Sequence, residues 1–244
     1  MTKEKSVRLD RLLSNLGYGS RKEMTMAVKN GWVDVDGQRM TDPGFSVAPE
    51  MVREGRVLLD GEKLDPLPPL NIMLNKPAGV TSSHKDPGKV VYDLLPERFA
   101  RRSPKLSIAG RLDKDSTGLV ILTDDGDLLH RITHPRRHAK KHYRVTLRDP
   151  LKGNEAEIFA RGDMMLGGED KPLRPAQWTP EGKKAGVMIL EEGRNRQIRR
   201  MFEKLGNEVV TLHRFQVGTL TLGALEEGEW QSLTEADLEK LILL

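Results

Sequence analysis

The stretch Ala109-Gly-Arg-Leu-Asp-Lys-Asp-Ser-Thr-Gly-Leu-Val-Ile-Leu-Thr-Asp-Asp-Gly126 holds an Arg and two Asp (Arg111, Asp113, Asp115) just ahead of the aliphatic run Leu119–Leu122. The run is short, apolar and bounded by turn residues, which predicts a buried strand. The polar residues before it then sit on a loop feeding a rigid element, a common location for chemistry. An Arg-x-Asp alone also fits a surface pair or a buried ion pair, so the rest of the chain must decide.

On the C-terminal side, Leu128–Ile132 reads as a short helix with Asp127 as N-cap. Tyr143–Leu147 alternates as a strand, residues 155–161 suggest a helix, and Val187–Glu191 a further strand. Residues 195–205 have helical periodicity, with Ile198, Met201, Phe202 and Leu205 on one face and Arg196, Arg199, Arg200 and Lys204 interleaved, up to Gly206. Val209–Leu212 and Val217–Leu222 read as two strands. Thr234 is placed to cap a last helix.

On the N-terminal side, Asn71–Val80 reads as a strand running into a Pro-Gly turn, and residues 81–105 as loop around a short apolar piece, Val90–Leu95. Pro66, Pro68 and Pro69 mark a linker. Ahead of it, after a polar tail over residues 1–6, Leu9, Leu12, Leu13 and Leu16 form a helical face that stops at Gly17. Ser20 and Glu23 suit a capping box for a second helix with Met24, Ala27 and Val28 inward, ended by Gly31. Asp36-Gly37 and Asp60-Gly61 are hairpin turns. The expectation is α+β with a largely antiparallel sheet, divided into a small module at 1–66 and a larger domain at 67–244.

The 244 residues include no Cys, which removes disulfides, thiolate nucleophiles and Cys-based zinc sites. No apolar run approaches the ~20 residues of a membrane span, and the first residues lack a signal-peptide core. A cytoplasmic protein without membrane partners is expected. The formal net charge is +4, and its distribution is uneven. Residues 1–65 balance. Between Arg131 and Arg148 lie Arg131, Arg136, Arg137, Lys140, Lys141, Arg144 and Arg148 with no acid, and Arg194, Arg196, Arg199, Arg200 and Lys204 form a second group. Such segregation suits a polyanion groove. Arg8, Arg21, Lys22 and Lys29 on the first module add to it. His130, His134, His138 and His142 are spaced four apart, but Pro135 interrupts the helix that would stack them on a metal. No phosphate-binding Gly loop and no Ser elbow occur.

At this point the motifs converge. Gly110–Leu119 resembles the catalytic motif of the pseudouridine synthases, Lys140–Val145 their Tyr-bearing strand, Gly193–Met201 their third motif, and Asn75-Lys-Pro-Ala-Gly79 the strand-turn that precedes them. The first module resembles an S4 RNA-binding domain through Arg8-Leu-Asp-Arg-Leu-Leu, Ser20-Arg-Lys-Glu and Gly31-Trp-Val-Asp-Val-Asp-Gly37. Within the family the chain is similar to the ribosomal RNA branch (the RsuA/RluB/RluE/RluF group). Thr123-Asp-Asp-Gly, His130–Pro135 and Gly206–Arg214 are closer to the small-subunit members, while Asn195-Arg-Gln-Ile-Arg reads more like the large-subunit ones.

The resemblance implies an S4-like domain followed by a catalytic domain with a mostly antiparallel mixed sheet flanked by helices. It implies isomerisation of a ribosomal RNA uridine to pseudouridine without cofactor or metal, by a monomer. A large-subunit substrate, or a non-catalytic RNA-binding or assembly role, are the alternatives. Carried onto this chain, Asp113 is the catalytic carboxylate, Tyr143 stacks on the target base, Ile198 walls the pocket and Arg199 pairs with Asp113. Arg111, Arg136, Arg137, Lys140, Lys141, Arg194, Arg196 and Arg200, with the four cations of the first module, are the RNA-binding candidates. Asp115 is read as structural support.

Overall fold

A computed structural model describes residues 5–134 and 139–242; Arg136, Arg137 and His138 lie outside the described residues. The chain forms two compact units. One takes the chain up to Leu70 together with Tyr92–Ser107 and Thr123–Asp125; the other takes Asn71–Val91, Ile108–Leu122 and the chain from Gly126 on.

The first unit contains β1 (Val7–Arg8), α1 (Leu9–Asn15), α2 (Arg21–Lys29), β2 (Val33–Val35), β3 (Gln38–Met40), β4 (Ser46–Val47), α3 (Pro49–Arg53), β5 (Val57–Leu59) and β6 (Glu62–Lys63). The capping box of α2 forms as expected: Glu23 N–H donates to Ser20 Oγ and Ser20 N–H to the Glu23 carboxylate. Leu9, Leu12, Leu13 and Leu16 of the first helical stretch and Met24, Ala27 and Val28 of α2 are buried in one core with Val33, Val35 and Val57. Asp36-Gly37 and Asp60-Gly61 all take positive φ, the geometry that tight hairpins need. The β1–β4 pair and α3 had no pattern to announce them, being short and weakly apolar. Tyr92–Ser107 follows the proline linker in sequence, yet packs within this unit. Ser103 N–H donates to Asn15 O at 2.8 Å, Arg98 pairs with Asp65 through two hydrogen bonds at 2.5 and 2.8 Å, and a Cβ on Gly17 would meet Arg98 O at 2.0 Å.

The second unit is built on β7 (Asn71–Lys76), β8 (Ser107–Ala109), β9 (Thr117–Thr123), α4 (Gly126–Thr133), β10 (Lys141–Leu147), α5 (Glu155–Ala160), β11 (Gln177–Pro180), β12 (Ala185–Leu190), α6 (Gln197–Lys204), β13 (Val209–Val217), β14 (Leu220–Thr221), β15 (Trp230–Ser232) and α7 (Glu235–Ile242). Its sheet has the order β11-β12-β10-β13-β9-β7-β15, with β14 beside β13 and β8 beside β9. β10 is antiparallel to both β12 and β13, β11 to β12, and β15 to β7, whereas β9 runs parallel to β13. The expected α+β, largely antiparallel architecture holds. Thr234 caps α7 by accepting from Asp237 N–H.

Two local readings are corrected. α4 starts at Gly126, so Asp127 lies in its first turn instead of capping it. The segment read as two strands at 209–212 and 217–222 is one long β13 followed by the short β14. The polar residues His213, Arg214 and Gln216 break the apolar pattern but not the strand, because its pairing with β10 resumes on both sides of a bulge at His142/Tyr143 that skips Phe215. β8, β11 and β15, three or four residues each, were not expected.

Candidate active site

The loop from β8 to β9 is held by backbone geometry and two buried cations. Gly110 and Gly118 take φ of 88° and 107°. Gly118 pairs in register with Arg214 of β13, and a Cβ there would sit 2.2 Å from Arg214 O. Only glycine permits this approach. The Arg214 side chain, 3% exposed, returns to the loop: Nε donates to Leu119 O and Nη2 to Gly110 O, both at 2.8 Å. From the other side Lys76, fully buried, donates through Nζ to Val80 O at 2.7 Å, Pro77 O at 2.8 Å and Lys114 O at 3.4 Å. Burial pushes its ammonium down to about 8, against the opposing pull of Asp115 and Asp113. Leu112 N–H donates to Ser82 Oγ at 3.2 Å and Ser116 N–H to Asp113 O at 3.1 Å. Asp113 therefore sits at the turn of a loop tied at both ends. Neither Lys76 nor Arg214 was singled out as a site residue. Their signal is that each lies inside one of the quoted motifs.

Asp113 opens on a cleft of about 490 Å³, lined by the loop 110–113, by Lys141 and Tyr143 of β10, by Leu190 and Leu212 of the neighbouring strands, and by residues 193–198 leading into α6. Tyr143 is buried on its strand and Ile198 on its helix, at 8% and 3% exposure. The sheet and the N-terminal turn of α6 thus bring Asp113, Tyr143 and Ile198 to one cavity, as expected. The arginine pairing differs. Arg196 takes left-handed backbone (φ 48°) just before α6 and turns its guanidinium to the loop, 4.0 Å from the Asp113 carboxylate and 3.5 Å from that of Asp115. Arg199, one turn along, pairs with Asp115 at 3.1 Å and donates to Val209 O at 2.7 Å. Arg196, not Arg199, is the cation facing Asp113, because the positive φ redirects the residue ahead of the helix.

The remaining expected cations divide by partner. Arg8 and Arg21 converge on the buried Asp10 at 3.0 and 3.6 Å, and the Arg8 hydrogen bond leads in holding that carboxyl below the usual carboxylate range. Arg194 and Arg200 bind the two oxygens of Glu169. Arg194 also donates to Lys171 O at 2.7 Å, and Arg200 donates to Gly167 O. They clamp the 167–172 loop onto the start of α6, which removes them from a free polyanion surface. Lys140 lies 3.9 Å from Glu191. Arg111 is exposed at the cleft rim. Lys141 is half-buried inside the cleft, where burial first and Arg214 second lower its ammonium to about 8. Lys22 and Lys29 are exposed on α2.

Comparison with known proteins gives the family. The family described as RNA pseudouridylate synthase matches residues 71–204, and the S4 domain matches residues 7–52. The chain is 37% identical to ribosomal small subunit pseudouridine synthase A of Haemophilus influenzae, over 97% of this chain and all of the relative. It is 39% identical to the Escherichia coli K12 protein of the same name, again over 97% and 100%. A solved crystal structure of a pseudouridylate synthase superposes with a TM-score of 0.67 at 36% identity, covering 97% of this chain and 100% of that one. With a cleft built around Asp113 and matches that span nearly the whole length, this chain belongs to the RNA pseudouridylate synthase family and carries an S4 domain ahead of its catalytic domain.

Proposed function

We propose that the chain isomerises a uridine of small-subunit ribosomal RNA to pseudouridine, with Asp113 as the catalytic carboxylate. The observation that carries the reading is Asp113 on a doubly tied loop, opening into a cleft whose walls include Tyr143 and Ile198. The near full-length relatives named for the small ribosomal subunit support the choice of RNA. In the reaction the N1–C1′ bond breaks, the base turns, C5 bonds to C1′, C5 loses a proton and N1 gains one. The balance needs no redox partner. Asp113 meets the electron-poor sugar centre or the base as an anion. Tyr143 and Ile198 hold the base between an aromatic and an aliphatic surface. Tyr143 acts by stacking its ring on the base. The target nucleotide must leave its stack to enter a cavity of this size. The chain is read as acting on this RNA as a monomer in the cytoplasm.

The test is to replace Asp113 with Asn and to map pseudouridine in ribosomal RNA made with and without the protein. D113N should bind RNA as the parent does and lose turnover by more than about 1,000-fold. Turnover retained in D113N shows that another carboxylate does the chemistry. An unchanged small-subunit pseudouridine map in cells lacking the protein overturns the substrate.

A further inference from the structure

Trp32 is 58% exposed and Met26 50% exposed, among the few large hydrophobic side chains left in water. Both belong to the S4 unit, and a local packing role explains only part of each. α2 ends in a Schellman motif: Gly31 N–H donates to Val28 O at 2.9 Å and Trp32 N–H to Ala27 O at 3.0 Å. In that motif the residue after the glycine commonly touches the last turn of the helix. Such a contact would cover these side chains, yet half or more of each stays accessible. The Trp32 backbone is also held from its other side, since Asp60 N–H donates to Trp32 O at 2.8 Å. The indole is therefore an exposed flat surface on a fixed backbone.

Its surroundings are cationic on the helix side. Lys22, Met26 and Lys29 recur at four- and three-residue spacing, so they line one face of α2, away from the buried Met24, Ala27 and Val28. Lys22 and Lys29 make no ion pair among the described residues. On the strand side, the stem of Arg39 packs over Gly31, where a Cβ would meet its Cδ at 2.5 Å. Arg39 is exposed, with Asp34 opposite it in register. Asp34 and Asp60 are the acids on the strand and turn beside Trp32. Two lysines and a thioether on one helix face, with an exposed indole just past the helix end, match a single-stranded nucleic acid, whose phosphates seek cations and whose bases seek π-faces. A protein partner would need the apolar surface without requiring both lysines.

We propose that Trp32 is a stacking platform for an unpaired base of the bound RNA, with Lys22 and Lys29 on its phosphates. The proposal rests on the RNA being the substrate read above, and it adds a contact that the cleft does not make. The experiment measures binding of the full-length protein to an in vitro small-subunit RNA transcript at several salt concentrations, with single-turnover pseudouridine formation alongside. Trp32→Ala should weaken binding about 10-fold while leaving the rate at saturating RNA unchanged. Trp32→Phe should recover most of the affinity, and Lys22→Ala and Lys29→Ala should each flatten the salt dependence by about one counterion. Thermal unfolding of Trp32→Ala should match the parent, as expected for an exposed side chain. Parental affinity in Trp32→Ala overturns the platform and leaves the exposed indole to a protein partner. If the parent binds but forms no pseudouridine while Trp32→Ala still binds more weakly, the platform stands and the substrate reading falls.

Discussion

Lys141 is the cleft residue whose charge changes within ordinary buffers. Burial and the neighbouring Arg214 bring its ammonium to about 8, so in the free enzyme it is charged below that pH and neutral above it. A phosphate entering the cleft favours the charged form. Above pH 8, RNA binding must therefore take up a proton, and affinity should fall by up to about 10-fold between pH 8 and 9 while staying level below 7. Lys141→Arg keeps its charge throughout and should flatten that fall in an anisotropy titration; the same pH dependence in K141R would assign it to another group. At this scale the motif positions of Asp113, Tyr143 and Ile198 were legible, and the fold brings them to one cavity. The partner of Asp113 was not. Arg196 and Arg199 are both basic residues of one motif, and only the left-handed backbone at Arg196 decides which guanidinium reaches the carboxylate.

The element that positions the loop bearing Asp113 is the β9–β13 contact. Gly118 pairs with Arg214 across the two strands, so Gly118→Ala meets both an unfavourable φ of 107° and a Cβ 2.2 Å from Arg214 O. The expected loss is about 2–4 kcal/mol, read by urea unfolding, together with lowered turnover as the Arg214 hydrogen bonds to the loop are displaced. Gly61 offers the contrast. It has φ of 79°, and a Cβ at that position would meet nothing within 4 Å, so Gly61→Ala should cost only about 1–2 kcal/mol. Equal losses at the two sites would show that φ alone, not strand approach, is the constraint. Helices with strong periodicity and turns built on Asp-Gly were readable because their signals are local. The apolar pattern of β13 is interrupted by His213, Arg214 and Gln216, and its continuity comes from the backbone of β10. The short strands β8, β11 and β15 carry too few residues for any periodicity to register.

For the whole molecule, a buried ion pair in the first unit joins segments distant in sequence. Arg102 and Asp124 are both fully buried at the side chain, 3.8 Å apart. Arg102 donates to Pro66 O, and Asp124 accepts from Leu70 N–H, both within hydrogen-bond distance. Arg102 Nε and Nη1 have no hydrogen-bond partner among the described residues. Burial lowers the Arg102 guanidinium and raises the Asp124 carboxyl, in each case outweighing the attraction between them. The pair thus specifies an arrangement more than it stabilises one. Arg102→Met should destabilise by about 3 kcal/mol because it strands the carboxylate, whereas Arg102→Met with Asp124→Asn should return to within about 1 kcal/mol of the parent. Denaturant midpoints check both, and a double variant as unstable as the single would show a net favourable pair. By itself the sequence determined the element types with strong local signals, the two-domain composition of the chain and the family whose motifs it carries, because hydrophobic period, turn chemistry and residue spacing are properties of contiguous residues. Only the tertiary structure decided that Tyr92–Ser107 packs with the first unit. It alone showed that Lys76 and Arg214 brace the loop from beneath, that Arg194 and Arg200 serve the protein's own loop, and that Arg196 faces Asp113. Each of these depends on which groups meet across the fold and on the hydrogen bonds that burial obliges them to make.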